Sequence, residues 1–505
     1  MVKRTKEIGK ALTGVIFFTI IAKILGFFRE LILSYYFGAS GLSDAYLISQ
    51  TIPGTIFQFV GTGLTTCFVP IYFKILKDKG KNEVDKFTNK VLSLILLFST
   101  IIIILVWINT TVAVKLFATG FEGETLKYAI IFTRIGILGL YFSTLIYVYN
   151  SYLQVNDIFL PTAFIAIPNS LMTILAIILG AKYNIYILSI GSTLAVLFQL
   201  IFLIRPVKKL KFKVKINFEF KDEYIKEFFI LMIPVVLGVS VNEVNTLVDR
   251  TIASKIAVGG ISALTYANSL IMFVQGGLIQ PITTICYPKI TYAIANRDEE
   301  GAKTFIQKVI LLALTMLIPI TIGFITFSTP IINFLFGRGA FDENAIKMTS
   351  IAVKYYAMGL CFVGLRELLS RYYYAYANTK IPMINAAIGV LINILMNLVL
   401  SRFLGIGGLA FATSLSALIT TILLLKSCNN SLPGGKLKLD YMEIIKIIVL
   451  SIIMGVISFI VYSILPFTSI INLILAVLLA IIIYFILSII LKLKYINIIK
   501  DIIKK

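Results

Sequence analysis

Three charged side chains, Lys23, Arg29 and Glu30, fall in a stretch that is otherwise apolar, residues 11–36. A charge at mid-membrane costs roughly 3 kcal/mol or more, so such residues face a cavity or a partner. Lys23 is placed to snorkel toward a helix end; Arg29 lies deeper. The chain has ten arginines against 36 lysines, and five of the ten (Arg29, Arg134, Arg250, Arg366, Arg371) fall inside apolar stretches, not counting Arg205 and Arg402 at the last residue of one. A guanidinium is a planar fork that grips phosphate through two hydrogen bonds and tolerates partial desolvation better than ammonium. Arg29, Arg250 and Arg366 therefore read as lining the pathway of an anionic, lipid-linked substrate. Arg134 and Arg371, near span ends, read as anchors. Glu30, Asp249 and Glu367 adjoin cations, but neighbours in sequence do not face each other on a helix. Substrate contact and intramembrane ion pairing both stay open.

Asp44 follows GASGLS at the start of the next apolar stretch, where an acid favours the helix dipole and could also serve a gate. A second constellation is neutral. Asn393 and Asn397 share a helix face, with Asn385 two turns earlier. Together with Glu243 and Thr413 they make a hard-oxygen set suited to Na⁺, or polar glue between membrane helices. Pro53, Pro70, Pro234, Pro281 and Pro288 interrupt other stretches and permit bending. Histidine is absent, and the four cysteines (Cys67, Cys286, Cys361, Cys428) are scattered. Neither a disulfide framework nor a zinc site is suggested. There is no Walker A motif, nucleophile elbow or dinucleotide fingerprint. A transporter with no cofactor beyond a possible Na⁺ coupling ion is the expectation, and not an enzyme.

These residues must be positioned by membrane helices. Of the 505 residues 59% are hydrophobic and 14% charged, and the mean hydropathy is +0.96. Long continuous apolar runs mean helices, not barrel strands. About fourteen spans are expected: 11–36, 45–73, 89–114, 128–153, 159–180, 185–205, 226–252, 262–287, 304–335, 348–377, 382–402, 405–426, 442–465 and 469–493. The first is read as retained, not as a cleaved signal peptide. The net charge of +22 follows the positive-inside rule and anionic lipid, and nucleic acid is not an expected partner. Lysines crowd the loops after spans 2 and 6 and the tail, while YYFGASGLSD and PFTS have neither Lys nor Arg. Both termini are expected in the cytoplasm.

Shifting the chain by 221 residues brings Arg29 onto Arg250, Gly38 onto Gly259, Pro161 onto Pro382, and Leu188 onto Leu409. The loops LFATGFEGET and LFGRGAFDEN match with a slip. Two parallel six-helix repeats follow. The expected divisions are an N-terminal lobe at 1–205, a cytoplasmic linker at 206–225, a C-terminal lobe at 226–428, and two further spans with a tail at 429–505. The two lobes would enclose a central cavity, and a monomer suffices.

The stretches ILGFFRELILSYYFGASGLSDAYLISQTIP, GTGLTTCFVPIY, VNTLVDRTIASKIAVGGISALTYANSL and RELLSRYYYAYANTKIPM resemble the MurJ (MviN) lipid II flippase family of the multidrug/oligosaccharidyl-lipid/polysaccharide exporter superfamily. The resemblance spans roughly residues 10–425. It implies fourteen helices, a cationic cavity, and export of undecaprenyl-pyrophosphate-linked peptidoglycan precursor across the bacterial cytoplasmic membrane by alternating access. It implies that Lys23 and Arg29 are cavity cations and Asp44 the family's acid at span 2. It also implies a sodium site at Glu243, Asn393, Asn397 and Thr413. Where the family often has arginine this chain has Phe57 and Ser269, and Thr62 replaces an acid. A flippase for capsular, teichoic-type or sporulation-linked precursors, a cation–drug antiporter and a non-transporting scaffold are the rival readings. The antiporter is disfavoured because the acids accompany arginines.

Overall fold

The computed structural model describes residues 2–219, 221–431 and 437–494, with side chains from residue 13 to 428 and from 437 to 494 except 220. Among the described residues it is all helical. The chain divides into two compact units, Met1–Ser262 and Ala263–Lys505.

The first unit contains α1 (Val2–Phe37), α2 (Gly41–Lys79), α3 (Lys81–Ile108), α4 (Thr110–Phe117), α5 (Gly123–Gly136), α6 (Gly139–Val155), α7 (Leu160–Phe164), α8 (Ala166–Lys182), α9 (Tyr186–Lys209) and α10 (Glu223–Ile256). It ends within the first turn of α11 (Gly260–Ala295). The second unit continues with α12 (Glu299–Phe336), α13 (Glu343–Ala375), α14 (Lys380–Leu404), α15 (Ile406–Ser431), α16 (Tyr441–Ile464) and α17 (Ser469–Ile490).

The fourteen expected spans correspond to these helices, but three expected to be continuous are built from two pieces. Span 3 breaks at Asn109, which leaves the helical region (φ −108°, ψ 34°) while its N–H still bonds Leu105 O. Span 4 bends by 44° between α5 and α6, where Gly136 and Gly139 flank the joint and Gly136 lies close against Ser49 O. Span 5 is interrupted at Ile165, three residues before Pro168. Twelve stretches, α7 and α8 together making one of them, plus the bent pair α5–α6, are long and apolar enough to cross a membrane among the described residues. Helices of 38 and 39 residues rise about 1.5 Å per residue and overreach a ~30 Å hydrocarbon core. α12 also kinks at Phe327 (φ −110°, ψ 20°), three residues before Pro330, as a ring without an N–H requires.

The repeat is visible in the backbone. Left-handed residues recur at Gly38 (φ 61°) and Gly259 (φ 79°), at Asp157 (φ 60°) and Ala377 (φ 55°), and at Gly123 (φ 54°) and Gly339 (φ 65°). The first pair keeps the offset of 221; the last is the pair of outer loops that slip.

At one end of the first unit a buried aromatic cluster joins α2, α3 and α6 through Phe68, Tyr72, Phe87 and Tyr152. The linker docks on it. Phe212 packs against Tyr152 with centroids 4.6 Å apart and the rings tilted by 38°, and Asn89 brackets the strap by donating to Lys213 O and accepting from Lys215 N. Ser93 Oγ accepts from Asn217 N, and buried Lys90 pairs with Glu219 (2.6 Å) and Asp222 (2.7 Å). Asp222 is also the N-cap of α10. In the second unit Gly359 lets α13 approach α15, where a Cβ would stand 2.6 Å from Ser414 Oγ. Ser414 uses that approach to donate to Tyr355 O at 2.6 Å.

Candidate functional site

Arg29 and Glu30 lie in the last third of α1, which is continuous because no glycine–proline pair interrupts residues 11–37. They form an ion pair although adjacent. Arg29 Nη2 donates to Glu30 Oε1 at 2.7 Å and Nε to the same oxygen at 3.3 Å. The guanidinium folds back along the helix, so one carboxylate oxygen takes both donors. The Glu30 side chain is 7% exposed and that of Arg29 38%. Glu30 Oε2 is buried with no hydrogen-bond partner. Tyr46 of α2 is buried as well, sharing a hydrogen bond with Ser192 Oγ at 2.7 Å. The pair therefore presents a partly open cation backed by a buried anion.

The chain leaves α1 through Gly38 in the left-handed region, and Ser40 caps α2 in a reciprocal box with Ser43, which satisfies two orphan helix-end donors. That turn aims Asp44, 1% exposed, at the first turn of α11. Its carboxylate accepts from Gly259 N (2.8 Å), Ser262 N (2.7 Å) and Ser262 Oγ. Ser43 Oγ shares a 2.8 Å bond with the same serine hydroxyl. Asp44 thus sits in the first turn of its own helix and serves as a cap, supplied from elsewhere in the chain, for another. Gly259 is required there, since a Cβ at φ 79° would strike the Ala39 carbonyl. Ser262 was not singled out in the sequence; its alignment with Gly41 at the repeat offset was the available signal.

The second constellation is brought together in part. Asn397 Nδ2 donates to Asn393 Oδ1 (2.8 Å), Asn393 Nδ2 to Thr413 Oγ1 (3.2 Å), and Thr413 Oγ1 to Leu409 O (3.2 Å). Asn393 and Asn397 are 3% and 0% exposed. Asn385 instead turns back to Ile381 O. Glu243 belongs to the first unit, where it accepts from Thr55 Oγ1 at 2.9 Å. The second unit's set is thus a relay of neutral oxygens without a carboxylate. Such oxygens fit a weakly held Na⁺. Among the described residues no three His, Cys, Asp or Glu side chains gather as a metal site.

Lys23 is exposed, and Arg250 and Arg366 are partly buried within their helices. Arg134 anchors by donating to Thr110 Oγ1 and lying over the Trp107 ring. Glu367 is taken by Arg371 one turn later at 3.1 Å, not by its neighbour Arg366. Outside the spans, the Asp222 carboxyl is held below its ordinary value. Partial burial opposes that shift, but the Lys90 ammonium and the α10 amides of Tyr224 and Ile225 outweigh it.

A family model described as lipid II flippase MurJ matches residues 33–490. Curated relatives named "Probable lipid II flippase MurJ" from Rickettsia prowazekii (strain Madrid E) and Thermotoga maritima are each 29% identical, with 79% of this chain and 80% of theirs covered. The solved structure of a lipid II flippase MurJ in an inward closed conformation is 27% identical with a TM-score of 0.84, covering 96% of this chain and 99% of that one. An inward-facing multidrug resistance MATE family transporter of the MOP superfamily shares the fold at 14% identity and a TM-score of 0.65, covering 79% of this chain and 92% of its own. Matched along nearly its whole length, from the end of α1 to the end of α17, the chain belongs to the lipid II flippase MurJ family.

Proposed function

We propose that this protein is a lipid II flippase. It moves the undecaprenyl-pyrophosphate-linked peptidoglycan precursor from the cytoplasmic to the outer leaflet by opening alternately to the two sides. The observation that carries the reading, beside the family, is the partly exposed Arg29 fork in an apolar span, held ready by Glu30. Pyrophosphate would take the guanidinium from Glu30, with Lys23 adding charge and Arg250 and Arg366 following along the path. The Asp44 cap on Gly259 and Ser262 would close the outer end and release when the site opens outward. Lobes of residues 1–205 and 226–428, both termini in the cytoplasm, a monomeric state and Na⁺ coupling through Glu243, Asn393, Asn397 and Thr413 complete the proposal.

A second reading, a flippase for another lipid-linked glycan, is favoured by Phe57. Where the family often has arginine, Phe57 packs with Ile103, Ile137 and Leu140 and faces Tyr147. The test is complementation of cells depleted of their lipid II flippase. Growth rescued by the chain and lost with Arg29→Ala, at equal membrane abundance, supports the reading. Full rescue by Arg29→Ala removes Arg29 from it. No rescue by the wild-type chain, with surface polysaccharide restored in a capsule mutant, moves the conclusion to the second reading.

A further inference from the structure

The second unit holds a cavity of about 410 Å³ where α16 begins and the chain leaves α17. Its walls are of two kinds. Leu311 and Leu314 of α12 and Ile444 of α16 form an apolar floor, and Lys308, Lys438 and Lys494 stand around it with one acid, Asp440. The acids nearby are already engaged. Asp440 caps α16 at Glu443 N and pairs with Lys494 Nζ. Buried Glu443 accepts from Lys494 N at 2.6 Å and pairs with Lys446 at 3.3 Å. Lys308 and Lys438 are exposed and have no acidic partner within 4.0 Å among the described residues.

We propose that this cavity binds the headgroup of an anionic phospholipid of the cytoplasmic leaflet. The phosphate would lie between Lys308 and Lys438, and the first acyl carbons on Leu311, Leu314 and Ile444. Two uncompensated ammonium groups over an apolar floor match an anion joined to a hydrocarbon chain. A free phosphate would gain nothing from that floor, and a zwitterionic headgroup would bring its own cation to the lysines. The α16 face leading away from the floor carries exposed Ile448 and Ile452, a path along which an acyl chain continues. A lipid seated here would brace the join between α12, α16 and the end of α17. It would make the stability of that corner depend on leaflet composition.

The test uses the full chain in nanodiscs of phosphatidylcholine with a minor fraction of phosphatidylglycerol, and counts by native mass spectrometry the phosphatidylglycerol retained on release. A juxtamembrane lysine contributes roughly a fivefold factor toward an anionic lipid. The Lys308→Gln/Lys438→Gln double variant should therefore retain phosphatidylglycerol about 30-fold more weakly. The exposed pair Lys208→Gln/Lys209→Gln, which removes the same charge elsewhere, should retain it as the wild type does. Unchanged retention in the first variant overturns the proposal, as does equal loss in the control. Displacement of the lipid by millimolar inorganic phosphate would show a plain anion site and also overturn it. Leu311→Ser adds an independent reading, because weakened retention with both lysines intact requires the apolar floor.

Discussion

Replacing Glu30 by Gln isolates the role of the Arg29 pair. Both Arg29 donors converge on Glu30 Oε1, at 2.7 and 3.3 Å, while Oε2 is buried with no partner. A hydrogen bond to a charged group contributes about 1.5–3 kcal/mol. Arg29 is more than one-third exposed, so solvent screening brings the figure to about 1 kcal/mol. In the proposed mechanism that energy opposes substrate, because pyrophosphate must take the fork from the carboxylate. Gln keeps the shape and a carbonyl acceptor but removes the charge. Binding of a pyrophosphate-bearing polyprenyl lipid to the purified protein should therefore tighten about fivefold, the factor that about 1 kcal/mol represents. Turnover in a vesicle flipping assay should fall, since release becomes harder. Arg29→Ala should weaken binding, and the double variant should resemble it. Weaker binding by Glu30→Gln would refute the argument, for it would mean that Glu30 builds the site instead of competing for it.

Asp44→Ala should lower unfolding stability by about 3 kcal/mol, because three buried donors lose a charged acceptor; differential scanning calorimetry in detergent checks this, with Asp44→Asn intermediate. Gly259→Ala should cost roughly 1–3 kcal/mol from the left-handed backbone and the clash at Ala39, seen in the same melt and in lost complementation. If Asn393, Asn397 and Thr413 hold Na⁺, Asn397→Ala should abolish any Na⁺-dependent rise in melting temperature, whereas Asn385→Ala should leave it intact. The Asp222 carboxyl is depressed in the folded state, so its stabilisation is complete above the ordinary value of 3.8 and is lost as pH falls through the lower folded value. The pair's contribution to the melting temperature should therefore be full and constant between pH 5 and 7, and the fall on the acid limb should shrink in Lys90→Met.

The helical class, the number of spans and the repeat were legible because they rest on composition and spacing, which a sequence displays directly. The breaks at Asn109 and between α5 and α6 were not. Apolar residues continue on both sides of each, and hydropathy does not register a bend. Arg29 stood out as a charge among apolar neighbours. Its pairing with Glu30 was hidden, because helical periodicity sends adjacent side chains apart, and only the length of the arginine lets it return. The partners of Asp44 lie 215 and 218 positions away and that of Glu243 188 away. Such contacts depend on how helices pack, which local pattern does not encode.

The repeat itself separates what was copied from what was changed. The offset of 221 carries Gly38 onto Gly259, and both keep the left-handed turn. It carries Ser192 onto Thr413, and both keep a hydroxyl that binds a side chain across helices. Ser192 serves Tyr46, however, and Thr413 serves Asn393. Glu30 falls on Thr251, which donates to Leu116 O, and Asp44 falls on Thr265. The backbone devices are thus shared between the repeats, while the carboxylates that hold Arg29 and cap α11 exist only in the first. In the proposed mechanism the anion-handling carboxylate is thus a device of the first repeat, while α14 and α15 of the second carry the neutral amide relay. A mutation at Glu30 and one at the aligned Thr251 should therefore differ in consequence, because only the first removes a carboxylate that a phosphate would have to displace.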